Sequence, residues 1–397
     1  MRLLALFSLC LLASPALSQT LELRELIIVG KPQSASLWSN QPTEVRLDDP
    51  AELAVIGVAK EGKQTVFLAD PDLTALIIHK KSIPAEQLRP WSALGAVEVR
   101  WSYVEPSPWR SLSKPLKKGP DVLYYSNVIA DGPKLGKWLG FDEISYFETE
   151  ANPWSALDSA RRRPATATPP RSEDDLFGGL GTMRYKVELR LADGTTLSTA
   201  GAEAHDVYGM LPSVHRVSIR KDDSYLGYMT SYFLVPKVFG SSGGGKNNQT
   251  DRYVGADCAD VLVGGLRAKG IKVKYSFVAG LTKYADVIVK PHDLNAAGEV
   301  DGDPIIEAKI GDLIRINYSG RASDTSPRSW DHVALWYEDQ SDPKGPDKGG
   351  PDGKFDGFDL VMHMSQPYLT VEPFNQQTPA TIDVLRWKKK LNVEATL

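Results

Sequence analysis

Cysteine is nearly missing from this chain of 397 residues: there are two, Cys10 and Cys258. Cys10 lies in the apolar run near the N-terminus, so only Cys258 is expected in the mature protein. One cysteine closes no intramolecular disulfide, and the fold must hold without cross-links. Long hydrophobic runs are missing too. Beyond the first twenty positions no stretch approaches the ~18 apolar residues that a membrane-spanning helix needs, which excludes a helical membrane span from the expected mature chain. Histidine is scarce, with six residues. A strong excess of one charge is also lacking: 46 basic against 50 acidic residues leave a formal net charge of −4, a balance that argues against nucleic acid as a partner.

What is present begins with "MRLLALFSLCLLASPALSQT". Arg2, the apolar run Leu3 to Leu12 and the small-residue pattern Ala16-Leu17-Ser18 are the parts of a secretory signal, residues 1–18, with cleavage expected after Ser18. Cys10 lacks the small residues that precede a lipidated cysteine. The expected location is therefore secreted or periplasmic. The remaining length suits two or three domains, each able to form its own core.

Residues 19–106 read as an all-β unit, a sandwich or small barrel. "LELRELIIVG", "ELAVIGVA", "QTVFLA", "LTALIIH" and "AVEVRWSYVEP" are short β-branched or alternating runs broken by turn residues. Residues 107–202 read as a second β-rich module, with "FDEISYFETE" as a strand and "MRYKVELRLADGTTLSTAG" as a hairpin around Asp193-Gly194. Between them "RRRPATATPPRSEDD", Arg161 to Asp175, is expected to be a mobile Pro-rich loop. From 203 to 397 the pattern changes to one helix followed by strands, including "IKVKYSF", "ADVIVK", "GDLIRINYSG", "DHVALWYED" and "DLVMHMSQPYLTVEPF", which describes an α+β domain.

The helix holds the lone cysteine. In "GADCADVLVGGLRAKG", Asp257 is a good N-cap and Gly270 a good stop, giving a helix of about 12 residues. Cys258, Val261, Leu262, Gly265 and Leu266 share one face at helical spacing. Gly264 and Gly265 inside a helix cost about 1 kcal/mol each and point to a close-packed strand or loop. The helix dipole favours a thiolate at Cys258, the carboxylates of Asp257 and Asp260 oppose it, and a cationic partner is needed, histidine being the obvious one. His332 opens the strand "HVALWY", and His363 lies in "LVMHMS". On adjacent antiparallel strands the two rings could meet, one orienting the other. His79, His205, His215 and His292 belong to no such constellation.

Together these residues resemble the NlpC-type cell-wall cysteine peptidases. Asp257-Cys258 at a helix start, the turn Gly311-Asp312-Leu313, the strand "HVALWY" and the later "MHMS" follow that family's order over roughly residues 205 to 397. After the cysteine this chain has Ala259-Asp260 where the family usually has Ser-Gly. The resemblance implies a papain-like cysteine peptidase domain with a Cys258-His332-His363 triad. It implies Cys258 as nucleophile, His332 as base, His363 as orienting group and the Cys258 backbone N–H as part of an oxyanion site. It further implies a peptidoglycan or cell-envelope peptide as substrate. No cofactor is expected, and a Cys/His/His zinc site, though chemically possible, has no close ligand pair to support it. "CADVLVGGLRAKGIKVKYSF" is also similar to the cysteine helix of transglutaminase-like proteins, which would make the chain an acyl transferase or protease. A papain-type fold without activity, serving as a binding or adhesive protein, is the third expectation. The Asp-rich stretches 293–303 and 347–359 are read as solvated turns rather than calcium loops. Asn248-Gln249-Thr250 and Asn317-Tyr318-Ser319 match the glycosylation acceptor pattern.

Overall fold

The structure, a computed structural model, describes residues 21–106 apart from 74, 95 and 96, short strand pieces between 110 and 138, and residues 144–167, 177–242, 248–298, 305–318, 330–365 and 367–393. It is built mostly of β-strands in several sheets. The strand Leu21–Pro32 shows why. Its run Leu26-Ile27-Ile28-Val29 is apolar on both sides, so it must be covered on both. Leu26 and Ile28 enter a core shared with Val99, Trp101, Tyr185, Val187 and Val217 of a second sheet, while Ile27 and Val29 pack on the opposite side against Trp38, Leu73 and Leu76.

The strand pairings run across both boundaries expected at 106 and 202. Val97–Pro106 pairs with Gly181–Leu191, which pairs in turn with His215–Arg220. The hairpin at Asp193-Gly194 is present: Gly194 has φ 85° and the Asp193 carboxylate accepts the Thr195 N–H at 2.9 Å. The segment after Arg161, expected to be mobile, is docked in its first half. Arg162–Pro164 pairs with Ala51–Glu61, and Thr166 exchanges two backbone hydrogen bonds with the Tyr185 hydroxyl. Its charges do not oppose this, because Arg161 and Arg162 both pair with buried Asp70. Positions 168–176 lie outside the described residues.

The C-terminal part is a six-stranded antiparallel sheet in the order Ala285–Asp293, Thr381–Trp387, Leu313–Asn317, His332–Glu338, Leu360–Met364, Leu369–Pro373. On one side Leu313, Val333, Leu335, Met362 and Leu385 pack with Val261, Leu262 and Leu266 of the cysteine helix, Cys258–Ala268. On the other, Ile314, Ala334, Trp336, Val361 and Ile382 pack with Phe355 and Phe374. Two expectations need correction. Residues 271–277, expected as a strand, form none; the chain goes through the 3-10 turn Val278–Lys283 before entering the sheet. The last apolar run is two strands rather than one, folded so that Met362 faces Val371. A second helix, Tyr225–Thr230, escapes periodicity because it is six residues long; the Ser224 hydroxyl caps it by accepting the Gly227 N–H. Among the described residues, no helix is long and apolar enough to cross a membrane.

The two glycines of the cysteine helix meet side chains rather than the strand or loop backbone expected: Met229 of this short helix, Tyr232 just past it, and Thr250 of the loop that leads to the cysteine. A Cβ on Gly264 would lie 2.6 Å from the Tyr232 hydroxyl and 2.8 Å from Thr250 Cγ2, whereas one on Gly265 would lie 2.5 Å from Met229 Sδ. Tyr232 is a buried ring held by stacking on Tyr253, while a thioether is adaptable. Gly264→Ala should therefore lower unfolding stability by about 1–3 kcal/mol in urea titration, and Gly265→Ala by clearly less, since alanine's helix propensity offsets part of the crowding.

Candidate active site

The cysteine helix begins as expected from its N-cap. The Asp257 carboxylate accepts the N–H groups of Ala259 at 3.1 Å and Asp260 at 2.8 Å, and also that of Gly240 at 3.1 Å. This leaves Cys258 as the first helical residue, half-buried, with its own backbone N–H donated to no acceptor among the described residues. Asp260 turns inward. Its carboxyl accepts the Ser241 hydroxyl and the Ser242 N–H, each at 2.8 Å, and burial together with the Asp257 charge pushes its pKa far up.

The thiol is equally constrained. Burial and then the neighbouring Asp257 charge push Cys258 up to about 12. Two groups act the other way: the Lys237 ammonium, and the Val333 backbone N–H directed at the sulfur. The cation required by the sequence reading is thus a lysine. Its backbone is held between the two parts of the site: Lys237 N–H donates to Pro367 C=O at 2.9 Å, while the flanking Pro236 and Val238 bond to Ala256, two residues before the cysteine. Burial lowers the Lys237 pKa, and the sulfur and Asp257 partly restore it.

His332 and His363 do come together. Val333 and Leu335 face the cysteine helix, so the alternating His332, Ala334 and Trp336 take the other face, which His363 shares with Val361. His332 Nε2 and His363 Nδ1 are 2.8 Å apart, with the rings edge to face at 84°. Burial, then His363 and Lys237, holds the His332 pKa well below its usual value. The sulfur is not hydrogen-bonded to either ring. Lys237 acts on both the thiol and His332, and Tyr318, whose ring centroid is 6.2 Å from that of His332, is pushed up by burial and then by the Cys258 charge.

Beyond His363 the site continues into residues the sequence reading did not name. Glu372 Oε1 accepts from His363 Nε2 at 3.1 Å and from Gln377 Nε2 at 2.7 Å, and the Gln377 carbonyl accepts the Tyr318 O–H. The signal for Glu372 was its register. Thr370 stands opposite His363, so Glu372 is the diagonal neighbour on the same face, visible only once 360–373 is read as a hairpin. No comparable pattern marks Lys237.

The remaining sequence candidates have structural places. Asp312 of the Gly-Asp-Leu turn pairs with Arg386 at 2.7 Å and accepts the Lys309 N–H. Asn248 and Asn317 are buried, which removes both as open glycosylation acceptors. His215 is buried against Thr43 at 3.0 Å, with its pKa down to about 3 through burial; His79 bonds Asn40 and His205 bonds the Ala202 carbonyl. Among the described residues no group of three or more His, Cys, Asp or Glu side chains is arranged to hold a metal ion, and Asp339 and Asp359 are taken up by backbone N–H groups. Positions 299–303 of the first Asp-rich stretch lie outside the described residues.

Set against protein-family models, curated proteins and solved structures, the chain finds no match.

A thiol held near 12 should alkylate slowly at pH 6 and steadily faster into the alkaline range. Removing the Lys237 charge raises the thiol further, so Lys237→Met should slow iodoacetamide labelling at pH 8 by roughly 3- to 10-fold. Lys237→Arg should stay near the parent rate. Thiolate absorbance against pH reads the same shift directly.

Proposed function

We propose that the protein is an exported cysteine hydrolase with a papain-like C-terminal domain, cleaving amide bonds of peptidoglycan stem peptides. The observation that carries this reading is the 2.8 Å His332–His363 pair at one end of the sheet, together with a thiol on the first turn of a capped helix that feels the backbone N–H of Val333, the residue after His332. A nucleophile, a base and an orienting group are the parts that thiol acylation needs. His332 has an imidazole rather than a carboxylate as neighbour, which favours the peptidase order over the transglutaminase-like one.

In the proposed reaction the Cys258 sulfur forms a bond to the substrate carbonyl carbon as its proton passes to His332, and the carbonyl electron pair moves to oxygen. The open Cys258 N–H supports an oxyanion contact there. Collapse breaks the C–N bond, His332 returns the proton to the leaving amine, and water then hydrolyses the thioester by the same base. His332 uses Nδ1 for this, because Nε2 is occupied by His363. The sulfur and His332 must close on one another when substrate binds, as catalytic hydrogen bonds often do. A second reading, a papain-type binding protein without activity, is favoured by the raised thiol and lowered imidazole, which both oppose a resting ion pair.

Purified peptidoglycan fragments should release new amino termini with the parent protein and none with Cys258→Ala or His332→Ala. Identical product profiles for parent and Cys258→Ala would leave the binding reading. Because His332 stays unprotonated well below its usual range, the acid limb of kcat/KM should fall below pH 6.5, with the rate still rising on the alkaline side as the thiol ionises.

A further inference from the structure

The geometry points to Glu372 as the residue that sets the tautomer of His332, and so decides which ring nitrogen is free to take the Cys258 proton. A carboxylate only accepts hydrogen bonds. Facing Glu372 Oε1 at 3.1 Å, His363 Nε2 therefore carries its hydrogen. A neutral imidazole has one N–H, so His363 Nδ1 presents a lone pair. His332 Nε2, 2.8 Å away, must donate into it, and His332 Nδ1 is left bare. The reverse order would place two lone pairs against each other at Glu372.

The same carboxylate fixes the other branch. Gln377 has to turn its amide N–H toward Glu372 at 2.7 Å, which presents its carbonyl to the Tyr318 hydroxyl. Tyr318 is 47% exposed, so the chain of donors runs from the surface and from His332 inward to a single acceptor. Glu372 is well suited to that position: the hydrogen bond from His363 leads the effects that lower its pKa, so it is ionised at neutral pH. Glu372 touches neither sulfur nor substrate in this scheme; it is a positioning residue. Its catalytic meaning rests on the hydrolase reading, but the tautomer itself does not.

The test is long-range imidazole 15N–1H correlation at pH 8, where unperturbed imidazoles are neutral. The parent protein should show His332 as the Nε2–H tautomer. Glu372→Gln can keep a carbonyl oxygen where Oε1 lies and should retain most of that bias. Glu372→Met removes the acceptor and should mix the tautomers of both rings. Glu372→Lys replaces the acceptor with a donor and should invert them to Nδ1–H at His332, which keeps the question answerable should the Met variant fold poorly. With a peptidoglycan fragment as substrate, Glu372→Met should lose on the order of 10- to 100-fold in kcat with KM nearly unchanged, and Glu372→Gln less than about 10-fold. An Nδ1–H tautomer at His332 in the parent, or tautomers indifferent to both Met and Lys, would overturn the inference. If the tautomers respond as expected while no peptide is cut, the hydrolase reading fails and the role of Glu372 stands.

Discussion

Two imidazoles buried 2.8 Å apart impose a condition on everything around them. Each ring nitrogen taken out of water must meet a group of the right polarity, or its lost hydration is uncompensated. His332 and His363 meet this at one contact, and the remaining nitrogen of His363 meets it at Glu372. That leaves the Nδ1 of His332 as the ring position not taken up by this chain of contacts, on a ring that also feels the Lys237 charge and lies 6.2 Å, centroid to centroid, from Tyr318. The chemistry available to Cys258 follows from this arrangement, since a thiol pushed up to about 12 depends on a neighbour that can accept its proton.

The β-rich body supplies the rigidity such an arrangement needs. Strands of the C-terminal sheet are covered by apolar side chains on both faces, so their few polar residues are what a register slip would disturb: shifting either histidine strand by one residue would turn its imidazole into the apolar layer against the cysteine helix. The N-terminal sheets brace the other half. Arg184 of the strand Gly181–Leu191 donates to the carbonyls of Arg252 and Tyr253, just ahead of the cysteine helix, and its burial lowers it to about 10. Thr182 N–H donates to the Phe233 carbonyl, and the Arg216 guanidinium lies 4.3 Å over the Tyr253 ring. The segment that delivers Cys258 is thus tied to the β body by its own backbone.

Much of this is legible in the amino-acid sequence, and the places where it is not share a cause. Asp257 acts as the cap because an aspartate before an apolar helical face has little else to do, and the Asp193-Gly194 turn forms because glycine admits positive φ there. The docked stretch at Arg162–Pro164 was misread as mobile because its arginines count as solvated charges until Asp70 is found beside them. Residues 271–277 alternate like a strand yet pair with no strand among the described residues. Alternation records which side chains are buried, whereas a strand also needs a neighbour with open backbone groups.

What the sequence determined by itself are the local matters: where most strands and the cysteine helix begin, which glycines turn, and how few thiols and imidazoles the chain has. These depend on residues within a turn or two of each other. Lys237, Glu372 and Gln377 acquire their places only in three dimensions. A lysine becomes the sulfur's cation through proximity to residues some twenty positions on, and Glu372 becomes His363's acceptor through hairpin register. Charge and hydrogen-bond direction act through space, so the polarity of the site was decided by the tertiary fold.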